Sequence, residues 1–256
     1  NLYTSICGSQ IGEIDGKKGV DPFLPHLLGH EAVSEVIAVA KDVKKVKPGD
    51  RVILHWMKGD GGEAKDHSQI SHDKKINAGP ITTFSQYSLI SENRCTPITT
   101  HLALTDLPQF GCSWTTAFGS LKNDASINNT DFLIVTGLGP IGISTLEISR
   151  IFDINTSVGI DYLANKVDYV NSLGFETVGW NFKNETPKTL QRLLDDNKHK
   201  RIVIIETTGV SEVINRAYKF LGKSGVMVLV GVTKYGDKID ENSPIFPRWN
   251  FLLLAT

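Results

Sequence analysis

Phe132-Leu133-Ile134-Val135-Thr136-Gly137-Leu138-Gly139-Pro140-Ile141-Gly142 is the stretch whose reading decides the fold. Phe132–Val135 is an unbroken apolar run, the pattern of a strand buried on both faces. It ends in Thr136-Gly137, and a helical pattern follows over Ile141–Phe152. Between them the glycines fit G-x-G-x-x-G. With 23 glycines in the chain, that spacing alone is weak. Its place directly after a strand and at the opening of a helix gives it weight. The first glycine permits a tight turn, the second lets backbone approach a pyrophosphate, and the third lets helix and strand pack closely. The helix N-terminus adds free N–H groups and partial positive charge. Gly137, Gly139, Pro140, Ile141 and Gly142 are therefore candidate cofactor-binding positions.

Downstream, the alternation continues. A short strand over Ser157–Ile160 runs into Asp161. A carboxylate there can accept both hydroxyls of an adenosine ribose and would repel a 2′-phosphate, which favours NAD over NADP. A helix over Leu163–Leu173 carries apolar residues at 163, 167, 170 and 173 and stops at Gly174. Thr186-Pro187 reads as a cap with proline at the first helical position. Ile202–Ile205 is a strand, Ser211 caps a further helix, and Val226–Val230 is the next strand. Strands alternating with helices predict a parallel sheet with both faces covered.

Upstream, residues 1 to about 120 read as mainly β, with short runs at Ala32–Ala40, Arg51–Leu54 and Tyr87–Ile90. Val46-Lys47-Pro48-Gly49-Asp50 is a turn signal before Arg51–Leu54. Gly59–Lys75 is polar and reads as a surface loop. The fold class is α/β, with one domain over 1–120 and another over 121–256.

Composition limits the function classes. The 256 residues carry 27 Lys+Arg against 28 Asp+Glu, a net charge of −1. Nucleic-acid and anionic-membrane binders favour a basic surplus, so neither is expected. No apolar run approaches the roughly 18 residues of a membrane helix. Cys7, Cys95 and Cys112 are too few and too scattered for a disulfide framework. They suit a reducing compartment, where each is structural, a nucleophile or a metal ligand. Cys7, His30 and Cys112 show no local zinc-finger spacing, and taken singly each reads as packing or a satisfied polar group.

Several short motifs occur in a telling order: Gly29-His30-Glu31, Pro48-Gly49-Asp50-Arg51-Val52, Thr83-Phe84-Ser85-Gln86-Tyr87, Cys112 through Thr116, Gly137 to Gly142, Asp161 and Gly231. In that order the chain resembles the zinc-containing medium-chain alcohol and polyol dehydrogenases. The resemblance implies a GroES-like mainly-β catalytic domain followed by a Rossmann doubly wound NAD-binding domain. It carries the ligands of a catalytic zinc onto Cys7, His30 and Cys112, and the acid beside the metal onto Glu31. Three protein ligands leave the fourth position open, as catalytic zinc requires. Ser9 matches the hydroxyl that takes the alcohol proton. Thr116 matches a residue beside the nicotinamide, and Lys166 a basic contact near the ribose. Thr207, Val230 and Val232 match strand ends that approach the cofactor. The implied reaction is hydride transfer between NAD(H) and a small-molecule alcohol or polyol, or the matching aldehyde or ketone. The resemblance also implies a cytoplasmic homo-oligomer, dimer or tetramer.

The sequence departs from the family at several places. Gln10 stands where an Asp commonly supports a zinc ligand, and Gly12 where a His completes a proton relay. Met57–Ala78 replaces a lobe that often holds four cysteines around a second zinc. It has no cysteine, and His67 and His72 alone make a poor site, so a single catalytic zinc and no structural zinc is expected. His55, Trp56 and Trp114 stand near positions that line a substrate pocket, with core packing equally suited to Trp114. Cys95 reads as packing. The chain opens on Asn1, close to Ile6-Cys7-Gly8-Ser9, and closes at Phe251-Leu252-Leu253-Leu254-Ala255-Thr256, where a sixth strand would begin. It reads as the interior of a protein of roughly 350 residues, two domains by length. The alternatives are a zinc-free reductase of the same superfamily, or a non-catalytic, diverged dinucleotide-binding protein.

Overall fold

The computed structural model describes residues 1–17, 19–64, 68–71 and 73–234. The chain divides into two compact units, one over Asn1–Thr115 and one beginning at Thr116. His67, His72 and Phe251–Thr256 lie outside the described residues. No helix among the described residues is long and apolar enough to cross a membrane.

The first unit is built on an antiparallel sheet of β1 (Tyr3–Thr4), β2 (Ala32–Glu35), β3 (Arg51–Leu54) and β6 (Cys95–Pro97), in the order β1-β2-β3-β6. Along β3, Val52 and Leu54 are buried while Arg51 is exposed, the period-two alternation of a strand with one face on a core. Val52 and Leu54 pack with Ala32, Val46, Ile81 and Cys95. The turn before β3 closes as its residues dictate, with Asp50 accepting from the Lys47 N–H at 2.9 Å. A short helix, α1 (Gly8–Ile14), follows Cys7.

Three expectations for this unit are corrected. Tyr87–Ile90 is not a strand. The Ser85 hydroxyl donates to the Tyr87 carbonyl and the Ser88 hydroxyl to the Thr82 carbonyl, so local side-chain bonds hold the segment instead of a ladder. The run at Ala32–Ala40 is a strand only to Glu35, because beyond it the chain turns to pair the Val36 N–H with Asp50 O. Gly59–Lys75 is not wholly a loop, since a hairpin of β4 (Gln69–Ser71) and β5 (Lys74–Ile76) begins inside it.

The nearer part of that segment is fastened by charge. The Glu92 carboxylate accepts from the Lys44, Lys45 and Gly62 N–H groups. These three donors hold its pKa below the ordinary carboxylate value, first among them Gly62. Glu63 pairs with Lys58 and, at 2.9 Å, with the buried guanidinium of Arg94. Asn93 and the loop exchange backbone bonds in both directions.

The second unit is an all-parallel sheet of β7 (Phe132–Thr136), β8 (Ser157–Asp161), β9 (Thr177–Gly179), β10 (Ile202–Glu206) and β11 (Val226–Leu229). The order is β11-β10-β7-β8-β9. β7 and β10 are buried along their whole length, as strands covered on both faces must be. The helices are α3 (Pro140–Ile151), α4 (Ala164–Ser172), α5 (Lys188–Asp196) and α6 (Ser211–Tyr218). α3 buries Gly142, Ser144, Thr145, Leu146, Ile148 and Ser149, a broad face rather than a narrow stripe. Two caps differ from expectation. Pro187 precedes α5 rather than opening it, and Ser211 is the first helical residue of α6. The Thr208 hydroxyl, not Ser211, receives the Val210 N–H before α6.

After β9 the chain crosses back over β7 to lay down β10, so the direction of strand order reverses between β7 and β10. That reversal opens a crevice at the C-terminal ends of the strands, the usual ligand position of such sheets. α3 starts there. A Cβ on Gly142 would lie 1.9 Å from the Gly137 carbonyl oxygen, so glycine alone permits this approach of helix to turn. Gly142→Ala is expected to destabilise the second unit by about 1–3 kcal/mol through overpacking. The measurement is the denaturant midpoint, and an unchanged midpoint would mean that α3 can move off the turn.

Candidate functional site

In the first unit, three segments distant in sequence meet. Cys7 sits in extended backbone just before α1. His30 lies between Gly29 and β2, and Cys112 follows the 3-10 turn Pro108–Gly111. One ligand atom from each of Cys7, His30 and Cys112 falls within 4.8 Å of the others. The pairing of Thr4 with Ala32 brings the Cys7 segment beside His30, and the Thr4 hydroxyl binds the Glu31 carbonyl at 2.8 Å. Gly29 takes φ +90°, where a Cβ would strike the Thr83 hydroxyl and Phe84, and this turn aims His30 inward.

The electrostatics favour a cation. Cys112 is the largest influence on Cys7 and, with the neighbouring His30 and Ser9, pulls its thiol down to about 3 against burial. Burial works against a charged His30, but the adjoining Cys7 outweighs it and the pKa is raised. Burial first, and the Cys7 charge as well, push Glu31 up to about 7 although His30 opposes them. His30 Nε2 and Glu31 Oε2 are buried with no hydrogen-bond partner. An orphaned imidazole nitrogen beside two sulfurs is a donor set suited to zinc. Ser9, on the first turn of α1, is half-buried and bonds Cys7. Gln10 is buried on the same turn, and its Nε2 lies 2.9 Å from His30 Nδ1.

In the second unit, the glycine turn leaves β7 with the Gly137 N–H on Ile160 O at 2.8 Å. Asp161 ends β8 almost fully buried. Its Oδ2 accepts from the Leu138 N–H at 2.8 Å and its Oδ1 from the Leu163 N–H at 3.0 Å. Lys166 Nζ stands 3.4 Å from Oδ2. Thr207, just past β10, donates to the carbonyls of Thr136 and Gly137. Val230 is buried beyond β11, Val232 is exposed, and Thr116 is half-buried on α2 (Ser113–Gly119).

Glu206 was not singled out by the sequence reading. It ends β10 at 0 % exposure. Its carboxylate accepts from the N–H and hydroxyl of Thr208 and from the Gly209 N–H. Burial nevertheless pushes it up to about 7. Its one sequence signal is an acid at the end of the apolar run Ile202–Ile205, where a buried strand has no water for it.

The remaining candidates have structural partners. His55 bridges Met57 O and the Thr96 hydroxyl, Trp56 lies under the Arg94 guanidinium, and Trp114 stacks on Phe110 with ring centroids 5.0 Å apart. Cys95 is buried in the first core, and burial pushes its thiol up to about 11.

The chain matches two family models, Alcohol dehydrogenase GroES-like domain over residues 1–100 and Zinc-binding dehydrogenase over residues 140–252. It is 27% identical over 266 residues to alcohol dehydrogenase class-P of Arabidopsis thaliana, covering 92% of this chain and 69% of that one. The crystal structure of an alcohol dehydrogenase zinc-binding domain protein from Burkholderia ambifaria superposes with TM-score 0.79 at 22% identity, over 93% of this chain and 70% of the other. Benzyl alcohol dehydrogenase from Acinetobacter calcoaceticus superposes with TM-score 0.76 at 21% identity, over 94% and 71%.

The thiol environments give a direct check. In reduced, metal-free protein, iodoacetamide is expected to label Cys7 at least about tenfold faster than Cys95, because the thiolate is the reactive form. Peptide mapping of a time course reads the ratio, and equal rates would contradict the environments described.

Proposed function

The chain belongs to the zinc-containing medium-chain alcohol dehydrogenase family, and on that premise we propose that it transfers a hydride between an alcohol or polyol and NAD(H) at one catalytic zinc. Its two units have the family's folds, a GroES-like mainly-β catalytic domain and a Rossmann-type α/β domain. The coarser activity, an alcohol dehydrogenase-type oxidoreductase, follows from the relatives. The observation that carries the finer reading is that one ligand atom each from Cys7, His30 and Cys112 lies within 4.8 Å of the others, with His30 Nε2 buried and without a hydrogen-bond partner.

Cys7, His30 and Cys112 would hold the metal. A zinc ion so bound supplies a Lewis acid that brings an alcohol proton within reach of neutral pH. Two thiolates balance a divalent charge, and neutral His30 adds none. Glu31, buried next to His30 with its Oε2 unpartnered, is the acid beside the metal in this reading. Ser9 accepts the substrate hydroxyl proton in this reading. Gly12 has no side chain to pass it on, so in this reading the proton would leave Ser9 to water. In the second unit, Gly137, Gly139, Pro140, Ile141 and Gly142 would receive the pyrophosphate. Asp161 and Lys166 would bind the ribose, while Thr207, Val230, Val232 and Thr116 would line the nicotinamide side.

Cys7→Ser is expected to lower bound zinc and alcohol-dependent NADH formation by tenfold or more, an effect on the order of that of losing a metal ligand's support. Zinc analysis beside an absorbance assay over primary, secondary and polyhydric alcohols measures both, and a variant unchanged in both would sink the proposal. Asp161→Ser is expected to narrow the preference for NAD over NADP, with thermal unfolding as a control because Asp161 also holds backbone N–H groups. Equal use of NADP by the unaltered protein would contradict the reading of Asp161.

A further inference from the structure

A histidine that ligates a metal through one ring nitrogen needs a proton on the other, and that N–H is donated to an acceptor. The atom facing His30 Nδ1 is therefore decisive. It is Gln10 Nε2, at 2.9 Å. An amide can usually turn over and offer its oxygen instead, but here the other end is occupied. The Gly29 N–H donates to Gln10 Oε1. A backbone N–H is only a donor, so Oε1 must face it, and the NH2 must face the imidazole. The side chain is 5% exposed, so no solvent relieves a mismatch. A donor NH2 on Nδ1 requires a lone pair there, which puts the neutral ring's proton on Nε2. Nε2 is the ring nitrogen that is buried without a hydrogen-bond partner.

We propose that Gln10 is a positioning residue that holds His30 in the tautomer opposed to metal ligation and so weakens zinc binding at Cys7, His30 and Cys112. The inference rests on the zinc reading of the proposed function. With a metal on Nε2, the ring's single proton would sit on Nδ1, with no net change of charge on the ring. The Gln10 amide must then turn over to accept it, which sets its NH2 against the Gly29 N–H. Either the new bond or the old one is lost in the buried site. The zinc of this chain is accordingly exchangeable.

Gln10→Glu keeps the shape and removes the conflict, because a carboxylate accepts from both the Gly29 N–H and Nδ1–H. Chelator competition on reduced, zinc-free protein is expected to show zinc bound at least about tenfold more tightly by the variant, the scale of outer-shell effects on metal affinity. Equal or weaker binding by the variant overturns the inference while leaving the zinc reading intact. No zinc bound by either protein overturns the zinc reading and this inference with it. A second measurement needs no variant. Long-range ¹⁵N–¹H spectra of the unaltered, zinc-free protein at alkaline pH are expected to show His30 protonated on Nε2. Protonation on Nδ1 overturns the proposal even if Gln10→Glu fails to fold.

Discussion

Two carboxylates with almost no water to face hold the C-terminal edge of the parallel sheet. Asp161, at the end of β8, takes the N–H of Leu138 from the glycine turn and of Leu163 from the start of its own connection. Glu206, at the end of β10, takes those of Thr208 and Gly209. These donors belong to turns, where no neighbouring strand can satisfy them, and a buried N–H left unpaired is costly. The two acids therefore do for the turns what the ladder does for the strands. The glycine turn after β7 lies between them, tied to one side by Asp161 and to the other by Thr207. Its shape is set by the protein itself, so a ligand entering the crevice meets a turn already formed. The association cost falls when ordering is done in advance.

The first unit solves a different problem, since its three candidate ligands come from three separate segments. Strand pairing supplies the coarse placement through Thr4 and Ala32. Polar contacts supply the fine placement, with Thr4 on the Glu31 carbonyl and Gln10 spanning Gly29 and His30. Strand pairing and these polar contacts together set the cluster. Its buried, partnerless nitrogen is the residue of that assembly.

The elements that were legible in the sequence are those whose signal is local. Phe132–Val135, Ser157–Ile160 and Ile202–Ile205 announce strands because a strand covered on both faces has only apolar positions to show. α4 announces itself by a single apolar stripe, and α3 and α4 each lie within one residue of their expected ends. α1 gave no such signal. It has seven residues, two of them glycines, and its Ile11 and Ile14 are exposed rather than buried. The three residues of β9 are too short for any period to show. Ser211 does not cap α6, because it is the helix's first residue and the N-cap position is Val210, whose side chain cannot accept a hydrogen bond. In the site, Cys7, His30 and Cys112 were readable only through a resemblance, because nothing in their spacing encodes a distance. Gln10 could be seen as a departure from the family. Which of its atoms faces His30 depends on a backbone N–H contributed by a distant turn.

The segment beyond β3 shows how a loop can be shaped without sulfur chemistry. Glu92 gathers three backbone N–H groups, and Glu63 joins Lys58 to Arg94. Such a fastening rests on surface carboxylates, so it answers to the solvent rather than to metal supply or redox state. Chelators and thiol oxidants have nothing in these contacts to act on. Acid does, because Glu92 and Glu63 both hold their protons less readily than ordinary carboxylates and support the loop only while ionised. Their contribution is present above the unfolded pKa and lost as pH falls through the lowered folded value. Salt also weakens it by screening. This corner of the molecule is tuned to acidity and ionic strength, two variables that leave the apolar cores largely indifferent.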